Sequence, residues 1–273
     1  MNAVNSSPLG QKSTYVSSYQ RDLLFPIPRK IKRDEIDVPS SLPFNGADIW
    51  TMYELSWLNA KGKPIVALAE FIFPCESPNI IESKSFKLYL NSFNNTKFNS
   101  LDEVRAILKK DLSEAAEADV LVKIIPIENF SGQKIEKLSG VSLDSLDIVC
   151  DTYTVEPAFL ETENEIVTEV LSTDLLKSNC LVTGQPDWGS VEISYTGKKI
   201  KHEGLLKYIV SFRNHNEFHE QCIERIFMDI LRRCAPQKLT VLGRYTRRGG
   251  LDINPFRSTE KNSVYHNKRL ARQ

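Results

Sequence analysis

A thiol and a carboxyl group stand seven residues apart in Ser178-Asn-Cys-Leu-Val-Thr-Gly-Gln-Pro-Asp-Trp188. Gly184 and Pro186 bend the chain between them, so Cys180 and Asp187 fall on either side of a turn. A thiolate is a strong nucleophile, and a neighbouring carboxylic acid can deliver the proton that a covalent addition needs. The plain alternative is a buried, inert cysteine beside a turn aspartate. His219 and Glu220 open a helical pattern whose apolar side is drawn by Ile223, Ile226, Phe227 and Ile230. Together they can grip a substrate with donor and acceptor edges; alone they read as ordinary first-turn polar residues. Cys180, His219 and Cys222 are also zinc-ligand types, but the third would come from a distant loop with no ligand beside it, and no metal is expected.

Two further stretches carry polar chemistry. Ile81-Glu-Ser-Lys-Ser-Phe-Lys-Leu-Tyr-Leu90 sets a carboxylate, two hydroxyls and two lysines ahead of a segment that alternates like a strand, which predicts a cluster at a sheet end. Gly243-Arg-Tyr-Thr-Arg-Arg-Gly-Gly250 combines three arginines with a glycine pair. That is a grip suited to phosphate groups, or a basic hairpin tip with no ligand. Neither a GxGxxG after a strand nor a GxxxxGK[ST] occurs, so neither a Rossmann site nor a P-loop is expected.

The elements that must position these residues occur in two passes. Ile65 to Phe73 and Phe86 to Phe93 read as strands, Ser100-Leu-Asp-Glu103 is a capping box opening a helix, and Asp119 to Ile127 reads as a closing strand. The second pass runs Val191 to Tyr195, Leu205 to Phe212, a helix from about Asn216 to Cys234, and Leu239 to Tyr245. Lys87-Leu-Tyr-Leu-Asn-Ser-Phe-Asn-Asn95 aligns with Leu206-Lys-Tyr-Ile-Val-Ser-Phe-Arg-Asn214, sharing Ser-Phe-x-Asn. A tandem duplication of strand-strand-helix-strand units follows, in the α+β class, with antiparallel sheets covered by helices on one face. The expected boundaries are an extended arm at 1–47, a first unit at 48–160 and a second at 161–273. His219 and Glu220 lie in the second copy; the first has only Thr96-Lys-Phe-Asn-Ser100 at that place.

With 273 residues and 35 acidic against 35 basic groups, the chain lacks the basic excess that nonspecific nucleic-acid binding uses. Its five cysteines, without a CxxC pair, are not a disulfide framework and predict the cytoplasm. The first residues have no positive and apolar regions of a secretory signal, and the longest apolar run, Pro64 to Cys75, carries Glu70, which excludes a membrane span there.

Glu82-Ser-Lys-Ser-Phe-Lys-Leu-Tyr, the Cys180 and Asp187 segment and Phe218-His-Glu220, in this order, resemble the nitrile reductase of queuosine biosynthesis, the QueF family, in its long form. The resemblance covers essentially the whole chain, from the Pro-Ile-Pro-Arg arm to Arg-Arg-Gly-Gly. It implies tandem tunnelling-fold (T-fold) units and a step of tRNA modification: reduction of 7-cyano-7-deazaguanine to 7-aminomethyl-7-deazaguanine with two NADPH. It further implies Cys180 as nucleophile forming a thioimidate, Asp187 as proton donor and His219 beside the reacting carbon. Ile81, Glu82, Ser83, His219 and Glu220 would bind substrate, and Ser83, Lys84, Arg248 and Gly249 would hold NADPH. A homo-oligomer, as a homodimer, is implied, with no direct nucleic-acid partner and no membrane. GTP cyclohydrolase I, a related T-fold enzyme, uses paired zinc ligands that are missing here. A catalytically silent T-fold binding a purine-like ligand or a protein is the alternative, and it leaves the thiol without a task.

Overall fold

Residues 15–130, 134–261, 263 and 267–273 are described by the computed structural model. They fall into two units, one from the described residues of 1–32, 48–133 and 247–252, the other from those of 33–47, 134–246 and 253–273. The first contains β1 (Pro26–Pro28), β2 (Asn45–Leu58, from Asp48 on), β3 (Pro64–Pro74), β4 (Asn79–Ile81), α1 (Ser83–Asn91), α2 (Leu101–Ala116) and β5 (Leu121–Pro126). Strands β5, β3 and β2 lie side by side in that order, with β3 and β5 antiparallel from Ala67 opposite Pro126 to Ile72 opposite Leu121. Along β3 every second residue, Ala67, Ala69, Phe71 and Phe73, is buried, as a sheet with one covered face requires. Phe86 of α1 meets Trp50 and Phe71 edge to face, both at 5.1 Å between ring centroids. The arm is extended as its prolines predict: β1 pairs antiparallel with β4 in a separate two-stranded ladder, where a missing proline N–H costs little.

The second unit contains β6 (Ile135–Glu136), β7 (Val141–Ser142), β8 (Thr162–Asn179), β9 (Pro186–Ile200), α3 (His202–Ser211), α4 (His219–Cys234), β10 (Lys238–Tyr245), β11 (Leu251–Ser258, from Ile253 on) and β12 (Arg269–Leu270). Its strands run in the order β11-β10-β9-β8-β7, all antiparallel neighbours except β7 and β8. The architecture is α+β, as expected.

Two expected strands are helices. Phe86 to Phe93 lies in α1 and the turn after it, and Leu205 to Phe212 lies in α3 and the turn after it. Each is a short apolar run whose burial fits either period, and α1 starts on a glutamate cap that the usual Ser/Thr/Asp/Asn signals do not flag. Apart from the short β4, each copy therefore runs strand-strand-helix-helix-strand, led by long hairpins, β2 with β3 and β8 with β9.

The duplication is visible in side-chain bonding. Tyr89 donates to Asp111 Oδ2 at 2.7 Å, and Tyr208 donates to Asp229 Oδ2 at 2.6 Å, the carboxylate being the eleventh residue of its 16-residue helix in both copies. Ser92 and Ser211 donate to the Tyr89 and Tyr208 carbonyls, each at 2.6 Å. Leu58 bridges Lys97 in the first copy as Asn179 bridges Asn216 in the second. That last match sets Asn59 in the first copy where the second has Cys180.

Candidate active site

The catalytic candidates of the second unit meet at the end of the β8–β9 hairpin. Ser178 lies opposite Asp187 in the ladder, and two residues on, beyond the last pair, comes Cys180. Alternation along a strand therefore sends the Cys180, Ser178 and Asp187 side chains to one face, and all three are buried. The turn is closed by the Cys180 N–H donating to the Gln185 carbonyl at 2.8 Å and the Gly184 N–H to the Cys180 carbonyl at 3.0 Å. Gly184 has φ +65°, a left-handed conformation that suits glycine.

The approach to α4 is stitched to the same strand end. The Asn179 N–H donates to the His215 carbonyl at 2.8 Å, and the Glu217 N–H to the Asn179 carbonyl at 3.1 Å. Glu217 is buried, accepting from Arg225 at 2.8 and 2.9 Å and lying 2.9 Å from His215 Nε2. Burial pushes its carboxyl up, but His215 and Arg225 outweigh burial and hold it below the usual carboxylate range.

His219, first residue of α4, brings Nε2 to 3.3 Å from Asp187 Oδ2. Its ring lies flat on Tyr245, with centroids 4.0 Å apart and planes 12° from parallel. Tyr245 ends β10 opposite Gly189 of β9. Gly243, two residues earlier, lets α4 pack closely on β10, since a Cβ there would lie 2.6 Å from Ile223 Cδ1. Glu220, in the first turn of α4, is also buried. Behind Tyr245, burial pushes the Cys222 thiol up to about 12, so it is a core residue in its neutral form.

Buried polar atoms without a hydrogen-bond partner, among the described residues of this unit, belong to Ser178, His219, Gln221 and Tyr245. The Tyr245 hydroxyl and Cys222 thiol are electrostatic neighbours, but their geometry falls short of a hydrogen bond. Native interiors rarely leave such groups unmet; His219 and Tyr245 stack beside Asp187 and Ser178 lies opposite Asp187 in the ladder, so this corner suits a polar ligand. Among the described residues no three His, Cys, Asp or Glu converge as metal ligands.

The first unit holds the other candidates. Ile81 ends β4, and Glu82 caps α1, accepting from the Lys84 N–H at 2.7 Å and the Ser85 N–H at 2.8 Å. Burial raises the Glu82 carboxyl above its usual range, against those two backbone bonds and the nearby lysines. The motif thus leads from the end of β4 into a helix rather than into a strand, and the arm supports it: Glu82 N–H donates to the Phe25 carbonyl at 2.9 Å. Ser83 and Lys84 occupy the first turn of α1, and Lys87 follows one turn later. Gly249 and Gly250, at φ +59° and +72°, form a turn after Arg248. A Cβ at Gly249 would lie 3.3 Å from Lys87 Cδ, so α1 and this turn adjoin. Arg247 lies over the Tyr53 ring at 4.4 Å. A glycine turn edged by lysine and arginine side chains fits a phosphate-bearing cofactor. Arg244, counted among the phosphate-gripping arginines in the sequence, is instead 2% exposed and bonded inward.

Tyr245, Ser178 and Glu217 were not singled out by sequence. Tyr245 lies inside the Gly243 to Gly250 stretch, where the arginines are the residues with a local chemical signal.

The family model described as nitrile reductase, 7-cyano-7-deazaguanine-reductase N-term matches residues 15–124, and that of QueF-like protein matches residues 186–264. A relative from Polaromonas naphthalenivorans (strain CJ2) is 59% identical over 281 residues, covering 100% of both chains. The chain belongs to the QueF family. That relative is an NADPH-dependent 7-cyano-7-deazaguanine reductase, as are QueF relatives from Ralstonia nicotianae (59% identical, 98% of each chain) and Legionella pneumophila strain Lens (58% identical, 100% of this chain and 96% of its own). Among solved structures, the apo archaeosine synthase QueF-Like covers 38% of this chain and 99% of its own at 15% identity, with a TM-score of 0.31, too slight a likeness to bear on the fold.

Proposed function

We infer that this chain is an NADPH-dependent nitrile reductase that converts 7-cyano-7-deazaguanine to 7-aminomethyl-7-deazaguanine in queuosine biosynthesis, through a covalent adduct on Cys180. The observation that carries the covalent step is the Asp187–His219 pair, 3.3 Å apart, on the buried face that Cys180 shares. Cys180 sulfur attacks the nitrile carbon, one carbon–nitrogen π bond breaks, and nitrogen takes a proton from Asp187. The product is a thioimidate, a better hydride acceptor than the nitrile. His219, stacked on Tyr245, holds the donor and shares its proton. Cys180 leaves as thiolate when its carbon–sulfur bond breaks, and bound NADPH would supply the two hydrides that, with one further proton from solvent, take the thioimidate through the imine to the amine.

Glu82 and Glu220 accept hydrogen bonds from the guanine-like edge, with Ile81, Ser83 and His219 completing the substrate contacts. Both Glu82 oxygens already accept a backbone N–H, and each keeps a lone pair for a ligand donor. Ser83, Lys84, Arg248 and Gly249 hold the cofactor, with phosphate as the group recognised. The protein works in the cytoplasm as a homodimer, a reading supported by β5, an outer strand with Leu121 47% exposed. The test is stoichiometry: two NADPH oxidised per nitrile consumed is expected, and one NADPH per nitrile, or a product other than the amine, overturns the reading.

A further inference from the structure

The site leans on two residues far from it in sequence. Gln273 is 5% exposed and every hydrogen-bonding valence of its amide is filled. Its Oε1 accepts from Arg244 Nε at 2.9 Å and from the Leu270 N–H at 3.2 Å. Its Nε2 donates to the Tyr245 carbonyl at 3.1 Å and to Asn254 Oδ1 at 2.8 Å. Arg244 is secured further by Asn267 Oδ1 and the Lys268 carbonyl. One amide thus fixes the backbone of the residue whose ring carries His219.

Arg272 holds the neighbouring strands. Its guanidinium donates to the Asp174 carbonyl at 2.7 Å, the Gly189 carbonyl at 3.1 Å and Ser190 Oγ at 3.0 Å. The β8–β9 register slips between Thr173 and Leu176, and Asp174 lies in that irregularity. Carbonyls displaced from a ladder need another donor, which a single guanidinium nitrogen, Nη2, supplies to both strands at once. Gly189 is two residues from Asp187 and pairs with Tyr245.

We propose that Arg272 and Gln273 form a latch that positions the Asp187–His219 pair, Gln273 through the Tyr245 backbone beneath the imidazole and Arg272 through β9. The two are positioning residues, acting on the proton donor through the strands they tie. The proposal rests on the catalytic reading of Cys180, Asp187 and His219 given above. Geometry errors near 1 Å at reacting groups cost about a hundredfold in rate, so a latch of this kind shows in the chemistry before it shows in the fold.

The test compares Gln273→Glu, Gln273→Ala and Arg272→Lys in the full chain, with 7-cyano-7-deazaguanine as probe. Melting temperature, the rate of adduct formation by intact mass, KM for NADPH and the pH dependence of adduct formation are measured. Glutamate keeps an acceptor for Arg244 and strengthens that bond by its charge, but offers no donor to the Tyr245 carbonyl. The latch requires Gln273→Glu to melt above Gln273→Ala while both form adduct about ten- to a hundredfold more slowly, with NADPH KM held within about twofold and the pH dependence displaced. Adduct rates that simply follow melting temperature, or an unchanged pH dependence, overturn it. Should the Gln273 variants not fold, Arg272→Lys decides, since Arg272 is 41% exposed and the shorter lysine, without the planar guanidinium, does not carry a nitrogen to the position that Nη2 holds between the two strands. Slowed adduct formation supports the latch and a wild-type rate overturns it. Asp187→Asn in the same series separates the two layers: if it forms adduct normally the catalytic reading fails, and if it is slow while the latch variants are normal only the latch fails.

Discussion

Replacing Gly243 by alanine should damage catalysis through a helix that the substitution does not itself carry. The new Cβ would lie 2.6 Å from Ile223 Cδ1 and 2.7 Å from Ile223 Cγ1, where ordinary contact begins at 3.4 Å, so about 0.8 Å must be found. Ile223 is fully buried, which leaves its side chain little room to turn away. It sits one turn along α4 from His219, so the helix start moves with it. A shift of that size opens the 3.3 Å separation of His219 and Asp187 to about 4 Å, beyond hydrogen-bonding reach. The expected cost is about 1–3 kcal/mol in stability, as for overpacked cores, and at least about tenfold in the rate of adduct formation. Urea unfolding and intact-mass kinetics measure the two separately. The Gly243→Ala/Ile223→Ala double variant, which removes the clashing atoms, should recover most of the rate while remaining less stable than wild type, because a cavity replaces the clash. A single variant with wild-type kinetics, or a double variant no faster than the single, would refute the coupling of α4 packing to the site.

Glu217→Gln should cost about 3–5 kcal/mol near neutral pH, because it leaves the Arg225 guanidinium without its buried counterion. Since the folded carboxyl titrates below its unfolded value, this contribution is complete above the unfolded carboxylate range and is lost as pH falls through the lower folded value. Unfolding at about pH 7 and about pH 3 should therefore show a difference that shrinks in acid, and an equal difference at both contradicts the assignment. Gly250→Ala places a Cβ 2.7 Å from the Glu54 carboxylate at a φ of +72°, so the turn proposed to hold the cofactor must distort. KM for NADPH should rise several-fold while adduct formation, which precedes hydride delivery, stays at the wild-type rate; slowed adduct formation would show that this turn serves the nitrile instead.

Much of the candidate site is legible because its residues are local in sequence. A turn written as Gly-Gln-Pro puts Cys180 and Asp187 on one hairpin, and the Ser100 capping box marks α2, with Glu103 accepting from the Asn99 N–H at 2.7 Å. Phe86 to Phe93 and Leu205 to Phe212 read as strands but fold as helices, since eight apolar-rich residues do not separate a strand period from a helical one. The alignment between them nevertheless survives, because the matched Tyr and Ser make the same bonds in both helices. Tyr245, Glu217 and the Arg272–Gln273 pair were hidden for another reason. Their roles depend on bonds across the fold, such as that from Gln273 to the Tyr245 carbonyl, 28 residues apart in sequence, and no local pattern announces those.

The central claim is that Cys180 attacks the nitrile. Intact-mass spectrometry of the protein incubated with 7-cyano-7-deazaguanine and no NADPH tests it, because adding a thiol across a nitrile retains every atom of the substrate. The wild-type chain should gain the full mass of the nitrile, and Cys180→Ala should gain nothing. A wild-type chain that gains no mass, or a Cys180→Ala chain that gains the same mass, contradicts the account.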